Sequence, residues 1–379
     1  MKIKIMDIYV QIDEYLEVIG HTASAGMLPF HGHATSPYFN GIICSGAVDT
    51  QIQKNGQRKH LSARYMLKGT DLTGTECHIF IENEGTLTEG EIITTPKIIT
   101  DSKSLSFLET ASLQGRVISK DNGVLVEIYE NLFEHTRSEY SFSSGDKQIY
   151  GEFYLPADGK ESHPLLIASH GYNSCCMHLR DILGLIAGHG ISVYAYDFCG
   201  GGNTTKSSGT PTEMSIITEQ ADLQNVLSHI MSLEKVDINR LFLYGESQGG
   251  FVTALTAPKF SHQIKGLFLV YPAFCIPDDW ADTKKNCPAF IDFNGMTIGK
   301  RYIEDIPDYD IFMHASQYSG NVTIFHGSDD SLVSIRYSQK LEKSYQNANL
   351  FTYPGQGHGF DKYHQHLTAE HIAADILSR

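Results

Sequence analysis

Apolar and polar positions change their spacing about a third of the way along the chain. Up to about residue 129 they alternate over short segments separated by polar turns, which is typical of β-strands, and no segment has a helical period. The alternation predicts strands at residues 3–10, 15–19, 41–52, 76–82, 91–99 and 116–129. Within the last of these, Asp121-Asn122-Gly123 predicts a hairpin turn. We therefore expect an all-β N-terminal domain over residues 1–132, folded as a small antiparallel barrel or curled sheet.

From about residue 136 the apolar strands alternate with segments of helical period. The predicted strands are residues 140–142, 148–155, 164–170, 191–198, 241–244, 264–271, 322–326 and 350–353. The predicted helices are residues 179–189, 212–233, 335–345 and 367–377, together with one that begins after residue 249. An opening hairpin followed by this alternation predicts a doubly wound α/β fold over residues 136–379, with a mostly parallel sheet covered on both faces.

Residues 272–318 interrupt the alternation. They contain the single tryptophan, Trp280, among charged and aromatic residues that include Phe290. Long connections in compact domains usually serve a function, so we expect a lid insertion above the sheet. A long crossover with one extra helix is the alternative.

The chain contains a candidate serine nucleophile in Gly245-Glu246-Ser247-Gln248-Gly249. An apolar strand precedes this segment and an apolar helical segment follows it, which is the setting of a nucleophile elbow. Small neighbours let the strand and helix pass close together, and the helix N-terminus favours negative charge that develops near the hydroxyl. Because the chain has 34 glycines, an ordinary glycine turn also fits the bare pattern.

A serine hydroxyl needs a base and an orienting carboxylate, and both follow Ser247 in the expected chain order of Ser, Asp and His. A predicted strand opens into a turn that contains Asp329 and Asp330, and the spacing from His326 favours Asp330 as the carboxylate. Another strand ends in a glycine-rich loop that presents His358, the predicted base. We expect His326 to pack beneath the Asp330 loop.

An oxyanion hole requires two donors near the nucleophile. One is predicted to be the backbone N–H of Gln248, and the other the N–H of Tyr172, which follows the apolar strand that ends at Ser169-His170-Gly171.

Composition limits the partners and the compartment. The net charge of −15 disfavours nucleic acid and anionic membrane surfaces as partners. No apolar run is long enough to span a membrane, and no signal peptide is evident, so we expect a cytoplasmic protein. The seven cysteines are therefore expected to be reduced, although the adjacent Cys175 and Cys176 leave a vicinal disulfide as an alternative. We expect His31-Gly32-His33 to form a solvated loop rather than a metal site.

The motifs together resemble the α/β-hydrolase superfamily across about 240 residues. Within it they are most similar to bacterial cinnamoyl and feruloyl esterases and to acylglycerol-lipase-like relatives. The motifs that carry this resemblance are Ser169-His170-Gly171-Tyr172, Tyr196-Asp197-Phe198-Cys199-Gly200-Gly201-Gly202, Gly245-Glu246-Ser247-Gln248-Gly249-Gly250, the Asp330 loop and Gly357-His358-Gly359-Phe360. A histidine often precedes the serine in that esterase subgroup, whereas Glu246 stands there in this chain.

The resemblance implies a serine esterase that needs neither cofactor nor metal and acts on a small-molecule ester, with Ser247, Asp330 and His358 as the catalytic residues. The aromatic side chains of Tyr172, Trp280 and Phe290 suit an aromatic acyl group. An oligopeptidase-like serine peptidase, an acylglycerol lipase and a non-catalytic binding module are the alternatives.

The N-terminal region resembles a family of small bacterial β-barrel domains of unknown function. The residues that carry this likeness are 61–65, 79–85 and 115–118. We expect this domain to support assembly of a homodimer. A carbohydrate-directed module and a shield over the mouth of the active site are the alternatives.

Overall fold

The computed structural model describes residues 1–87, 92–121, 123–233 and 237–379. The chain forms two compact units, Met1–Leu132 and Phe133–Arg379.

The first unit is all β apart from one short 3-10 helix, Ser106–Glu109, in its described residues. Its strands are β1 (Lys2–Ile12), β2 (Leu16–Ile19), β3 (Ala23–Thr35), β4 (Phe39–Ile43), β5 (Val48–Lys54), β6 (His60–Asp71), β7 (Glu76–Thr86), β8 (Ile92–Thr100), β9 (Leu113–Lys120) and β10 (Gly123–Asn131). Neighbouring strands pair in the order β1-β10-β9-β8-β7-β6-β4-β3, and β1 also pairs with β3, so the described sheet closes into an antiparallel barrel. This confirms the all-β barrel prediction.

Strand boundaries in this unit differ from the sequence pattern in three places. The predicted strand 41–52 is two strands, β4 and β5, and the alternation did not reveal β3 or β6. The prediction of a loop for His31-Gly32-His33 was wrong, because these residues lie in β3 with both imidazoles exposed. The predicted hairpin joins β9 to β10 with Gly123 opposite Lys120, while Asn122 of the turn and Glu91 of the predicted strand 91–99 lie outside the described residues.

The second unit contains an eight-stranded sheet. The strands of this sheet are β11 (His135–Glu139), β14 (Gly151–Pro156), β15 (Leu165–Ser169), β16 (Ser192–Tyr196), β17 (Leu241–Glu246), β18 (Ile264–Val270), β21 (Asn321–Gly327) and β22 (Ala348–Tyr353). Two separate hairpins pair β12 (Phe142–Ser144) with β13 (Lys147–Ile149), and β19 (Phe290–Phe293) with β20 (Met296–Gly299). The sheet order is β11-β14-β16-β15-β17-β18-β21-β22, and every neighbouring pair from β16 onward is parallel.

Helices alternate with these strands, as expected for a doubly wound fold. They are α1 (Arg180–Gly188), α2 (Ile216–Ile230), α3 (Ser247–Thr256), α4 (Ile276–Lys285), α5 (Lys300–Glu304), α6 (Ile311–Ala315), α7 (Ile335–Ser344) and α8 (Lys362–Leu377), with 3-10 turns at Cys176–Leu179, Ile238–Arg240 and Ala257–Phe260. Strands β15 and β17 are buried along almost their whole length, which explains their continuous apolar runs. The prediction of an α/β fold is confirmed.

The last helix begins earlier than its apolar pattern suggested. The carboxylate of Asp361 accepts hydrogen bonds from the amides of Tyr363 and His364 and so caps the helix N-terminus. His364 and His366 are buried in this helix.

The insertion at residues 272–318 is folded rather than irregular. It contains α4, the β19–β20 hairpin, α5 and α6. Trp280 and Tyr302 are buried within it and belong to the same hydrophobic core as β17 and α3.

The seven cysteines are free thiols, including the adjacent Cys175 and Cys176. In the described parts of the chain, helices of the length and apolarity needed to cross a membrane do not occur.

Candidate active site

Ser247 lies at the sharp turn between β17 and α3. Its φ of +50° falls in the left-handed region, which side-chain-bearing residues rarely adopt. The turn is possible because the residues two positions before and after Ser247 are glycines. A Cβ on Gly245 would lie 2.5 Å from the carbonyl oxygen of Gly249, and a Cβ on Gly249 would lie 2.3 Å from that of His170. The elbow motif therefore requires glycine for close packing, as well as for its turn.

The imidazole of His358 joins Ser247 to Asp330. Its Nε2 lies 2.9 Å from Ser247 Oγ, and its Nδ1 lies 2.7 Å from Asp330 Oδ2. Asp330 follows β21 and His358 follows β22, so both occupy the sheet edge where β17 also ends. Parallel strands bring their carboxyl ends to one edge, which is how residues distant in the chain meet here.

The carboxylate of Asp330 is held from several sides. Its Oδ1 accepts hydrogen bonds from the amides of Leu332 and Val333, at 2.9 and 2.8 Å, and its Oδ2 lies 3.3 Å from Nε2 of His326. Burial acts to raise the pKa of Asp330, but the bonds from His326, His358 and Val333 outweigh it and hold that pKa well below its ordinary value. Asp330 is therefore ionised at neutral pH and fixes the proton of His358 on Nδ1, leaving Nε2 free to accept from the serine.

The neighbouring residues behave as the sequence suggested. His326 is fully buried beneath the loop, with its Nδ1 2.7 Å from Ser338 Oγ and its Nε2 2.8 Å from the Val333 carbonyl. The Asp329 carboxylate instead accepts from Ser328 Oγ, at 2.6 Å.

Two backbone amides lie beside the serine. Gln248 is the second residue of α3, and the first amides of a helix have no acceptor within it. Tyr172 follows Gly171, where a Cβ would lie 3.2 Å from that of Ser247. The buried His170 fixes this loop, because its Nε2 accepts from the Phe198 amide at 3.0 Å and its Nδ1 lies 2.7 Å from the Gly171 carbonyl.

Ser247 and His358 open into a cleft of about 600 Å³. Its aromatic wall combines Tyr172 with side chains of the insertion: the ring of Trp280 lies 4.9 Å from that of Phe293 and 5.8 Å from that of Tyr302. Asp279, on the first turn of α4, also lines the cleft and is exposed to it.

The prediction that Phe290 lines the cleft was wrong. This side chain is 64% exposed and is not among the cleft residues. Alternate residues of a strand face opposite sides, so the position of Phe293 in β19 turns Phe290 outward. Asp279 could not be identified from the sequence, because its place in the cleft depends on how α4 packs in the folded chain.

The turn of the β19–β20 hairpin is tied to the main body by three hydrogen bonds. Tyr172 Oη donates to the Phe293 carbonyl at 2.9 Å, Asn173 Nδ2 to that of Asn294 at 3.1 Å, and Asn203 Nδ2 to that of Gly295 at 2.8 Å. The insertion is thus attached beside the loop that presents the Tyr172 amide.

The side chain of Gln248 is also fixed. Tyr302 Oη donates to its Oε1 at 2.7 Å, and its Nε2 donates to Glu219 at 2.8 Å. All three residues are buried, and burial raises the pKa of Glu219 well above its ordinary value. This chain of contacts links the insertion to the start of α3.

Among the described residues, His, Cys, Asp and Glu side chains do not converge in this cleft at the spacing of metal ligands.

Comparisons with known proteins agree with the two units. Residues 160–302 match the family model "Serine aminopeptidase, S33", and residues 3–92 match "Protein of unknown function (DUF3237)". No curated protein matches the chain significantly in sequence.

Solved structures resemble the chain over about two thirds of its length. Est1E from Butyrivibrio proteoclasticus with bound ferulic acid is 23% identical, with a TM-score of 0.59 over 63% of this chain and 98% of its own. The α/β hydrolase GrgF from Penicillium sp. sh18 is 18% identical, with a TM-score of 0.53 over 64% of this chain and 98% of its own. The chain therefore joins an α/β-hydrolase-fold unit, which contains the serine aminopeptidase S33 match, to an all-β unit that contains the match to a model of unknown function.

Proposed function

We propose that the protein is a serine hydrolase that cleaves carboxylic esters through an acyl-enzyme intermediate. The observation that carries this proposal is the continuous hydrogen-bonded series from Asp330 through His358 to Ser247 at a strained strand–helix turn. A serine hydroxyl becomes an effective nucleophile when a positioned base takes its proton, and the base in turn needs an orienting carboxylate.

In the first half of the reaction, Ser247 Oγ attacks the ester carbonyl while His358 Nε2 accepts the hydroxyl proton. The resulting imidazolium is stabilised by the ionised Asp330 at Nδ1. The tetrahedral oxyanion accepts hydrogen bonds from the amides of Gln248 and Tyr172. His358 then protonates the departing alcohol, and the acyl group remains on Ser247.

In the second half, water enters the site vacated by the alcohol. His358 removes a proton from this water, which attacks the acyl carbonyl and passes through a second oxyanion at the same amides. Return of the proton from His358 to Ser247 Oγ releases the acid. Apart from the ester and water, every group in this scheme belongs to the chain.

An ester of an aromatic acid, such as a feruloyl or cinnamoyl ester, is the substrate class that we propose. The rings of Tyr172, Trp280 and Phe293 offer aromatic faces and edges to a phenyl ring. Asp279 could accept a hydrogen bond from a phenolic hydroxyl at the far end of such an acid. That Est1E binds ferulic acid on a similar fold supports the choice. We further propose that the insertion covers the aromatic part of the acyl group.

A peptidase is the second candidate, because residues 160–302 match a serine aminopeptidase family. The carboxylate of Asp279 would suit the α-ammonium of a peptide, since burial of a cation in this cleft requires an opposite charge nearby. The esterase remains the first choice because an aromatic wall dominates the cleft.

Labelling with a fluorophosphonate tests the nucleophile. The wild-type protein should form one adduct, at Ser247 by peptide mass spectrometry, and Ser247→Ala should form none. Absence of an adduct in folded wild-type protein would favour the non-catalytic binding module.

A matched pair of substrates tests the bond that is cleaved. We expect turnover of methyl ferulate and of p-nitrophenyl esters, and little turnover of aminoacyl p-nitroanilides. Asp279→Asn should raise KM for methyl ferulate more than for methyl cinnamate, which lacks the phenolic hydroxyl. Faster cleavage of the anilides than of the esters would identify a peptidase instead.

A further inference from the structure

Tyr271 lies between the candidate base and a second acidic residue. It follows β18 with a φ of +37°, and its amide donates to the Phe325 carbonyl at 2.7 Å. The centroid of its ring lies 4.5 Å from that of His358, and the edge of Phe360 packs against it at 5.1 Å. A side chain held in a strained backbone conformation against a catalytic group indicates a specific positioning role.

The hydroxyl of Tyr271 donates to Oε2 of Glu246, at 3.0 Å. The other carboxylate oxygen, Oε1, accepts from Tyr244 Oη. Glu246 directly precedes the nucleophile, and two tyrosines fix its carboxylate, one of which, Tyr271, packs against the His358 ring.

We propose that Glu246, acting through Tyr271, is a positioning residue that holds the imidazole of His358 and supplies a second negative charge to stabilise its protonated form. This inference rests on the proposed function of the site. Asp330 meets the imidazole edge at Nδ1, whereas Tyr271 contacts its ring, so the two acidic residues act on His358 from different sides.

The charged and titratable groups around this pair define its electrostatics. Tyr244 and Tyr271 bond to Glu246, and the imidazoles of His358 and His178 lie close enough to act on its charge. Asp330 contacts Nδ1 of His358. Burial raises the pKa of Glu246, and the two tyrosine bonds and the imidazoles oppose that rise. Glu246 thus gains a proton at less acid pH than an ordinary glutamate, and its charge acts on His358 only at pH above its own raised pKa.

Removing this charge has two opposite consequences for kcat/KM. The transition state contains protonated His358, so its stabilisation falls, and the plateau of kcat/KM should drop roughly fivefold. The free enzyme also binds a proton at His358 less readily, so the acid limb of the pH profile should move to lower pH by about 0.5–1 unit. A purely structural role would lower the plateau without moving the limb.

The test compares pH profiles of kcat/KM for a p-nitrophenyl ester. Glu246→Gln keeps the size of the side chain and removes its charge, with the amide NH2 donating to one tyrosine oxygen, and should show both changes. Glu246→Asp retains the charge and should restore the position of the acid limb. Tyr271→Phe keeps the ring against His358 but removes the bond to Glu246, and should shift the limb in the same direction by a smaller amount.

Asp278→Asn is the matched control. It removes one negative charge from an exposed residue outside the cleft, whose carboxylate accepts from Tyr337 Oη at 2.7 Å, and its profile should superimpose on that of the wild type. Thermal unfolding checks the fold: because the raised pKa of Glu246 reflects a cost of keeping it ionised, Glu246→Gln should unfold at no lower temperature than the wild type at neutral pH.

The outcomes separate this inference from the function on which it rests. Wild-type protein that neither hydrolyses esters nor labels with a fluorophosphonate would overturn both. An active wild type with a folded Glu246→Gln variant whose acid limb coincides with that of the wild type would overturn the role of Glu246 alone. The proposed role would also be overturned if the acid limbs of Glu246→Gln and Glu246→Asp lay at the same pH, since only Glu246→Gln lacks the charge.

Discussion

Gly249→Ala should inactivate the proposed enzyme without unfolding it. The new Cβ would lie 2.3 Å from the His170 carbonyl oxygen and 2.5 Å from that of Ser169, while real Cβ contacts essentially never fall below 3.0 Å. The helix and the loop must therefore separate by at least 0.7 Å, the difference between 3.0 and 2.3 Å. Because that loop carries the Tyr172 amide, the separation would widen the gap between the two predicted oxyanion donors.

Misplacement of reacting groups by about 1 Å can lower a rate roughly 100-fold. We accordingly expect kcat/KM of Gly249→Ala to fall by about two orders of magnitude, which corresponds to about 2.7 kcal/mol of transition-state stabilisation. Overpacking destabilises a fold by about 1–3 kcal/mol, and the higher helix propensity of alanine offsets up to about 1 kcal/mol of this. The loss of transition-state stabilisation should therefore exceed the loss of folding free energy.

The assay combines p-nitrophenyl ester hydrolysis, the rate of fluorophosphonate labelling and thermal unfolding. Gly184→Ala is the control, because it places the same methyl group in helix α1, away from the cleft, where the nearest atom belongs to the His135 side chain at 3.3 Å. It should keep wild-type kcat/KM. A folded Gly249→Ala variant with kcat/KM close to that of the wild type would refute the argument that close packing of this loop sets the oxyanion geometry.

Three further substitutions test the surroundings of the site. Asp330→Asn should lower kcat by roughly 10⁴-fold, whereas Asp329→Asn should leave it near the wild-type value; equal losses would mean that the orienting carboxylate is misassigned. Because the pKa of folded Asp330 is lowered, its carboxylate stabilises the fold above the unfolded pKa of about 3.9, and this contribution is lost as pH falls through the lower folded value. The difference in unfolding free energy between wild type and Asp330→Asn, measured in urea, should therefore be larger at about pH 7 than at about pH 3. Tyr302→Phe leaves the buried Oε1 of Gln248 without its donor and should destabilise the protein by about 1–3 kcal/mol, and an unchanged urea midpoint would count against that bond.

The sequence by itself was sufficient for the features that depend on neighbouring residues. The elbow around Ser247 is a strand, a turn and a helix in succession, and each step has its own residue requirement. The alternation of strands and helices from residue 136 likewise follows from local period, and it implies that the loops after β21 and β22 share one edge of a parallel sheet. That topology is why Asp330 and His358 could be selected from many candidates.

Tertiary structure decided the features that depend on packing between distant segments. Ser247 and His358 are 111 positions apart, and only the completed sheet sets their 2.9 Å separation. The register of the β19–β20 hairpin turns Phe293 toward the cleft and Phe290 toward solvent, although both are equally apolar in sequence.

The same limit explains the other errors and omissions. Strand β3 contains glycines, a proline and two histidines, so its alternation is weak and its pairing with β1 and β5 is what stabilises it as a strand. In the sequence, Glu246 differs only from the histidine that often precedes the serine in the esterase subgroup. Its contact with Tyr271 exists because β17 and β18 end side by side. Local patterns thus determined which chemical groups are available and at which edge of the sheet they lie. The orientation of each side chain was decided by contacts that form only when the whole sheet is assembled.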